Sequence, residues 1–64
     1  MYQVIIKNQG HVFYLRGTTW AFTAERGRVF ETIEEAAQAS LAARPFTRPS
    51  LFKKATIIAA GSID

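Results

Sequence analysis

The sequence predicts an α+β domain in two layers: a three-stranded antiparallel meander, one α-helix packed on one of its faces, and a C-terminal strand, in the order β-β-β-α-β. Three observations carry that prediction. Residues 32–44 (TIEEAAQASLAAR) hold one amphipathic helix signal, bounded at both ends. Three runs rich in β-branched and aromatic residues precede it, separated by short connections that contain glycine. One apolar, β-branched run, residues 55–60 (ATIIAA), follows it.

The first strand is read from residues 2–7 (YQVIIK) and the second from 11–16 (HVFYLR). Asn8-Gln9-Gly10 between them reads as a three-residue hairpin loop with glycine where a left-handed residue is wanted. Gly17-Thr18 leads into a third strand, residues 19–23 (TWAFT). Side chains alternate along a strand, so the loops decide the faces. With these loops, Ile5, Phe13, Leu15, Trp20 and Phe22 share one face. Tyr2, Val4, Ile6, Val12, Tyr14, Ala21 and Thr23 share the other, with Arg16 at its edge.

Residues 24–30 (AERGRVF) read as a turn that tucks Phe30 against the sheet. Thr32 and Glu35 then have the spacing of a capping box, and Glu31, Glu34 and Glu35 complement the positive end of the helix dipole. Ile33, Ala36, Ala37, Ser40, Leu41 and Arg44 fall on one face of a 3.6-residue period. Arg44 suits the C-terminal end, and Pro45 disfavours helical geometry in the residue before it. A helix face this rich in alanine can approach a sheet closely, provided the sheet supplies the bulk. The face with Phe13, Leu15 and Trp20 does so and is assigned to the core.

The opposite face, with Tyr2, Val4, Val12 and Tyr14, would then be an apolar patch, and such patches mark interaction sites. A second copy of the chain or a partner protein would cover it; the alternative cover is the last strand or a folded-back loop. Residues 45–50 (PFTRPS) read as a stiff, extended connection. Residues 51–60 close the fold. If the helix crosses the sheet, the last strand runs parallel to the first in the order 3-2-1-4; the alternative places it beside the third strand. Residues 61–64 (GSID) read as a frayed tail.

Sixty-four residues make a single domain near the lower size limit for a self-sufficient core, so oligomerisation is a natural source of stability. With no cysteine and one histidine, the chain is expected to hold no disulfide, no zinc and no cofactor. No apolar run approaches the roughly 20 residues of a membrane span, and the N-terminus lacks a secretory layout. The expected setting is a reducing cytoplasm, and the chain reads as a complete small protein. A net charge of +3 permits an acidic partner without demanding one.

No reaction is suggested. His11 has no serine, aspartate or second histidine placed to work with it, and the glutamates at 31, 34 and 35 are accounted for by the helix start. The four glycines stand at scattered turns without phosphate-loop spacing. The charge feature above background is residues 44–54 (RPFTRPSLFKK), where Arg44, Arg48, Lys53 and Lys54 alternate with Phe46 and Phe52 and no acid intervenes. Cations beside aromatics suit phosphate contacts and base stacking. The structural reading of the same residues is a capped helix, a guarded sheet edge and two core rings.

Trp20, Phe22, Phe30, Thr32, Glu34, Glu35 and Ala36 form a pattern, WAFT…RVFETIEEAAQA, that resembles small uncharacterised proteins of bacteriophages and mobile elements. That resemblance implies a protein that acts by binding, such as a phage-encoded inhibitor or anti-defence protein held against a host protein. The expectation is therefore a non-enzymatic, homodimeric binding module with an interface at Tyr2, Val4, Val12, Tyr14 and Arg16. The alternatives are a nucleic-acid binder using Arg44, Arg48, Lys53 and Lys54, and a small-nucleotide-sequestering protein with Arg16 at a dimer seam.

Overall fold

The structure, a computed structural model, describes residues 1–60. The tail expected at 61–64 lies outside the described residues. Strand β1 spans Tyr2–Asn8, β2 His11–Arg16, β3 Thr19–Ala21 and β4 Thr56–Ala59, in one antiparallel sheet of order β3-β2-β1-β4. Helix α1, Ile33–Ala43, packs on one face. The α+β class, the meander and the strand order 3-2-1-4 are as predicted.

The last strand's direction is not. β4 runs antiparallel to β1, with Val4 opposite Ile57. The reversal is made by the segment expected to be extended: Arg44–Phe46 is a turn of 3₁₀ helix and Pro49–Phe52 a short helix, α2. Each proline sits in the first turn of its element, where its missing N–H costs nothing and its fixed φ helps. Arg44 keeps helical dihedrals (φ −52°, ψ −48°) despite the proline that follows. The chain therefore coils back on itself and delivers β4 from the opposite end.

The first hairpin corrects the face assignment. Its loop is two residues long, Gln9-Gly10, and Asn8 pairs with His11 inside the ladder. Both loop residues have positive φ (50° and 81°), as a turn matched to strand twist requires. One residue fewer in the loop exchanges the two faces of β1 relative to β2. Tyr2, Val4 and Ile6 join Phe13, Leu15 and Trp20 beneath the helix, while Ile5 moves to the far side with Tyr14. The core is Val4, Leu15, Phe30, Ala36 and Ala43, with Tyr2, Trp20, Ala39, Ala55 and Ile57 around it.

Helix α1 starts where expected, and one half of the expected capping box is made: the Glu35 N–H donates to the Thr32 hydroxyl. Its buried stripe is rotated from the predicted one. Ala36, Ala39 and Ala43 face the sheet, and Ile33 and Leu41 are exposed. Only methyl groups fit where Val4, Leu15 and Phe30 already fill the layer. Phe22, assigned to the core, lies past the end of β3 and is 78% exposed, its ring 5.4 Å from that of Phe13.

β1 and β2 pair only from Ile5–Tyr14 to the turn. Beyond that the strands part, and residues 28–30 enter the gap. The Arg28 N–H donates to the Leu15 carbonyl, and Tyr2 and Phe30 exchange hydrogen bonds of 2.7 Å in both directions. To reach this gap the chain crosses the sheet's second face. There the Gln3 side-chain amide donates to the Ala24 carbonyl, and Gly27 lies against Tyr14. Gln3, Ile5, Tyr14 and Ala21 are buried on this face. A folded-back loop, the alternative cover, does the work assigned to a partner.

Candidate functional site

The residues expected to form a protein interface do not share one exposed face. Val4 is 1% exposed beneath the helix, and Tyr2 packs beside it. Tyr14 is buried on the opposite face under the 24–27 loop, and Val12 is half-buried on that face. Of the five, Arg16 alone is open to solvent. Val4 and Tyr14, expected side by side on one open face, are both buried and lie on opposite faces of the sheet.

The basic segment fares differently. Where α1 passes through its 3₁₀ turn into α2, an open groove of about 580 Å³ forms. Arg44 and Lys53 supply its cations, and Leu41, Pro45, Pro49 and Phe52 its apolar walls. The Arg44 guanidinium lies over the Phe52 ring, 5.8 Å from the centroid, which restrains an otherwise mobile side chain. Phe46, expected in the alternative reading to be a core ring, is 70% exposed between these cations in sequence. Arg48 is exposed at the start of α2 but does not line the groove. Lys54 is turned away, its ammonium donating to the Asn8 side chain at 2.9 Å. The structure thus brings together two of the four predicted cations.

Thr47 fixes the groove to the sheet. Its hydroxyl accepts from the Trp20 indole N–H at 3.0 Å and donates to the Ala43 carbonyl at 2.9 Å. The end of α1, the turn and β3 are tied at one point. Removing the hydroxyl strands a half-buried indole N–H, so Thr47→Val is expected to cost about 1–2 kcal/mol. Thermal unfolding followed by Trp20 emission measures this. A variant with unchanged melting would show the relay to be incidental.

The chain matches no protein-family model, no curated protein and no solved structure. The resemblance to phage and mobile-element proteins therefore gains no support from these comparisons, and the site has to be read from its own chemistry. Among the described residues no cluster of histidine, cysteine and carboxylate side chains could hold a metal ion. Among the described residues no helix is long and apolar enough to cross a membrane.

Of the groove's other residues, Leu41 was expected on the core face of the helix, and Pro45, Thr47 and Pro49 in an extended connection. The signal lay in the repeated Arg-Pro pairs, Arg44-Pro45 and Arg48-Pro49, four residues apart. Read as first-turn prolines they mark two consecutive helical starts and hence a corner; read as helix breakers they mark an extended linker.

Proposed function

We propose that the chain is a non-enzymatic binding module that takes nucleic acid at the groove between α1 and α2. One observation carries this reading: Arg44 and Lys53 share a groove whose wall is an aromatic ring, with the exposed Phe46 ring in the same acid-free segment. Phosphates are attracted by the cations, and the rings offer stacking surface to bases whatever their identity. A cytoplasmic setting is consistent with a chain that carries no cysteine. The reading as a homodimeric inhibitor of a host protein loses the sheet face on which it depended.

Fluorescence anisotropy with labelled oligonucleotides tests the proposal. Binding is expected to weaken steeply between about 50 and 200 mM salt. Lys53→Glu is expected to lower affinity about tenfold for every sequence tried and to reduce the salt slope by about 1. Absence of binding at low salt would end this reading.

A further inference from the structure

The sheet ends at β4, and no further strand lies beyond it among the described residues. Two sets of hydrogen bonds decide which of its backbone groups turn outward. The Ala60 N–H donates to the Met1 carbonyl at 2.9 Å, and an antiparallel ladder alternates, so Ile58 and Thr56 also aim their N–H and C=O groups at β1. Tyr2, opposite Ala59, has both of its backbone groups committed to Phe30 on the other side of β1. Ile57 and Ala59 therefore turn their N–H and C=O groups away from the sheet.

Natural sheets guard such an edge with lysine, proline or a covering segment. Thr56–Ala59 contains neither residue. Of the two lysines that precede it, Lys54 is drawn over to Asn8 of β1 and Lys53 lines the α1–α2 groove. The two isoleucines of β4 are left half-buried, one on each face: Ile57, opposite Val4, on the helix side, and Ile58, opposite Gln3, on the other. The helix layer is unfinished on the same side. One flank of α1, with Glu35 and Gln38, looks toward Arg28 and Phe30 in the gap between β1 and β2. By the helical repeat the opposite flank, toward β4, carries Ile33, Ala37 and Ser40, without charge and with Ile33 53% exposed.

We infer that β4 pairs with β4 of a second copy of the chain, antiparallel about a two-fold axis through Ile58, joining two four-stranded sheets into one of eight. The two outward residues flank Ile58, so this register sets every outward N–H against an outward carbonyl. Ile57 exchanges two hydrogen bonds with the second copy's Ala59, and Ala59 two with the second copy's Ile57. The edge is its own complement, as an isologous interface requires, and a strand without charge meets its copy without repulsion despite the net charge of +3. The axis stands perpendicular to the sheet. Both helices then lie on one face, with the Ile33 flanks turned toward each other, and Ile58 meets its counterpart on the opposite face. This goes beyond the proposed function and does not depend on it. A seam four residues long belongs with small interfaces, so association is expected at about 1–100 μM.

Sedimentation equilibrium of the full chain, from about 1 to about 500 μM, is expected to show the mass rising from one chain toward two. Hydrogen exchange at the upper concentration is expected to find the Ile57 and Ala59 amides protected; on dilution these two lose protection while Ile58 and Ala60 keep it. Ala59→Pro removes an outward N–H and no bond to β1, so it is expected to weaken association at least tenfold with the melting temperature of the single chain held. Ile58→Lys and Ile58→Glu set like charges face to face across the axis, and each alone is expected to stay monomeric. An equimolar mixture of the two is expected to associate again, an outcome peculiar to a seam where position 58 meets itself. Circular dichroism checks the folding of each variant, and the lysine–glutamate pair decides the matter if the proline variant does not fold.

A single-chain mass across the whole range would overturn the inference. So would a dimer whose Ile57 and Ala59 amides exchange freely, since its copies would meet elsewhere. Failure of the mixed lysine and glutamate chains to associate would overturn the register through Ile58 and the seam with it.

Discussion

Leu15→Ala is expected to leave the domain largely unfolded at room temperature. Leu15 has no solvent exposure and stands at the centre of the core with Val4, Phe30, Ala36 and Ala43. The helix side of that cluster consists of methyl groups fixed to backbone, so no flexible side chain can swing in to fill the space left behind. The cost of such a truncation is about 2–5 kcal/mol, larger where the site collapses poorly. A core in a 64-residue chain supplies about 3–5 kcal/mol in all. Urea titration followed by circular dichroism measures the loss. A loss below about 1 kcal/mol would mean that the layer between α1 and the sheet is not where stability resides.

Gly27→Val is expected to detach the loop that covers the sheet's second face. A Cβ at position 27 would stand 2.5 Å from the Tyr14 Cβ, an atom anchored directly to β2, and 3.1 Å from the Gln3 amide nitrogen. Neither the strand nor the loop can yield without loss, since the Gly27 N–H donates to Thr23 and the Arg28 N–H to Leu15. Overpacking of this kind costs about 1–3 kcal/mol and here also uncovers Tyr14 and Ile5. Hydrogen exchange gives the local readout: the amide of Arg28 is expected to lose protection before those of β1 and β2. Uniform protection with unchanged stability would show that the loop does not rest on Tyr14.

How far the sequence reveals this molecule depends on whether a signal is local. The helix was legible because its start is chemically marked by Thr32 and its end by Arg44-Pro45, and the structure places α1 at Ile33–Ala43. The pairing of Leu15 with Trp20 was legible because Gly17-Thr18 admits few turn geometries. The faces of β1 were not. Asn8 can end a strand or begin a loop with equal ease, and that single residue moved Val4 from a supposed partner surface into the core. The rotation of α1 was hidden for a related reason: Leu41 has the higher hydrophobicity, but the space beneath the helix, set by Val4, Leu15 and Phe30, admits only alanine. At the candidate site the composition of residues 44–54 was visible, while its shape was not. Separating Lys53 in the groove from Lys54 on Asn8 requires the direction of α2.

The parting of β1 from β2 has a kinetic consequence. Tyr2 is bridged on one side by Phe30 and on the other by Ala59, partners 28 and 57 residues away along the chain. The two turns can close within microseconds on their own, but neither hairpin buries the layer beneath α1. The barrier to folding then lies in drawing together two long stretches of chain around the first few residues, a step whose entropy is spent before its contacts form. The speed at which this small protein matures is set at its first strand, and changes at Tyr2 or Phe30 should slow refolding more than changes in either tight turn.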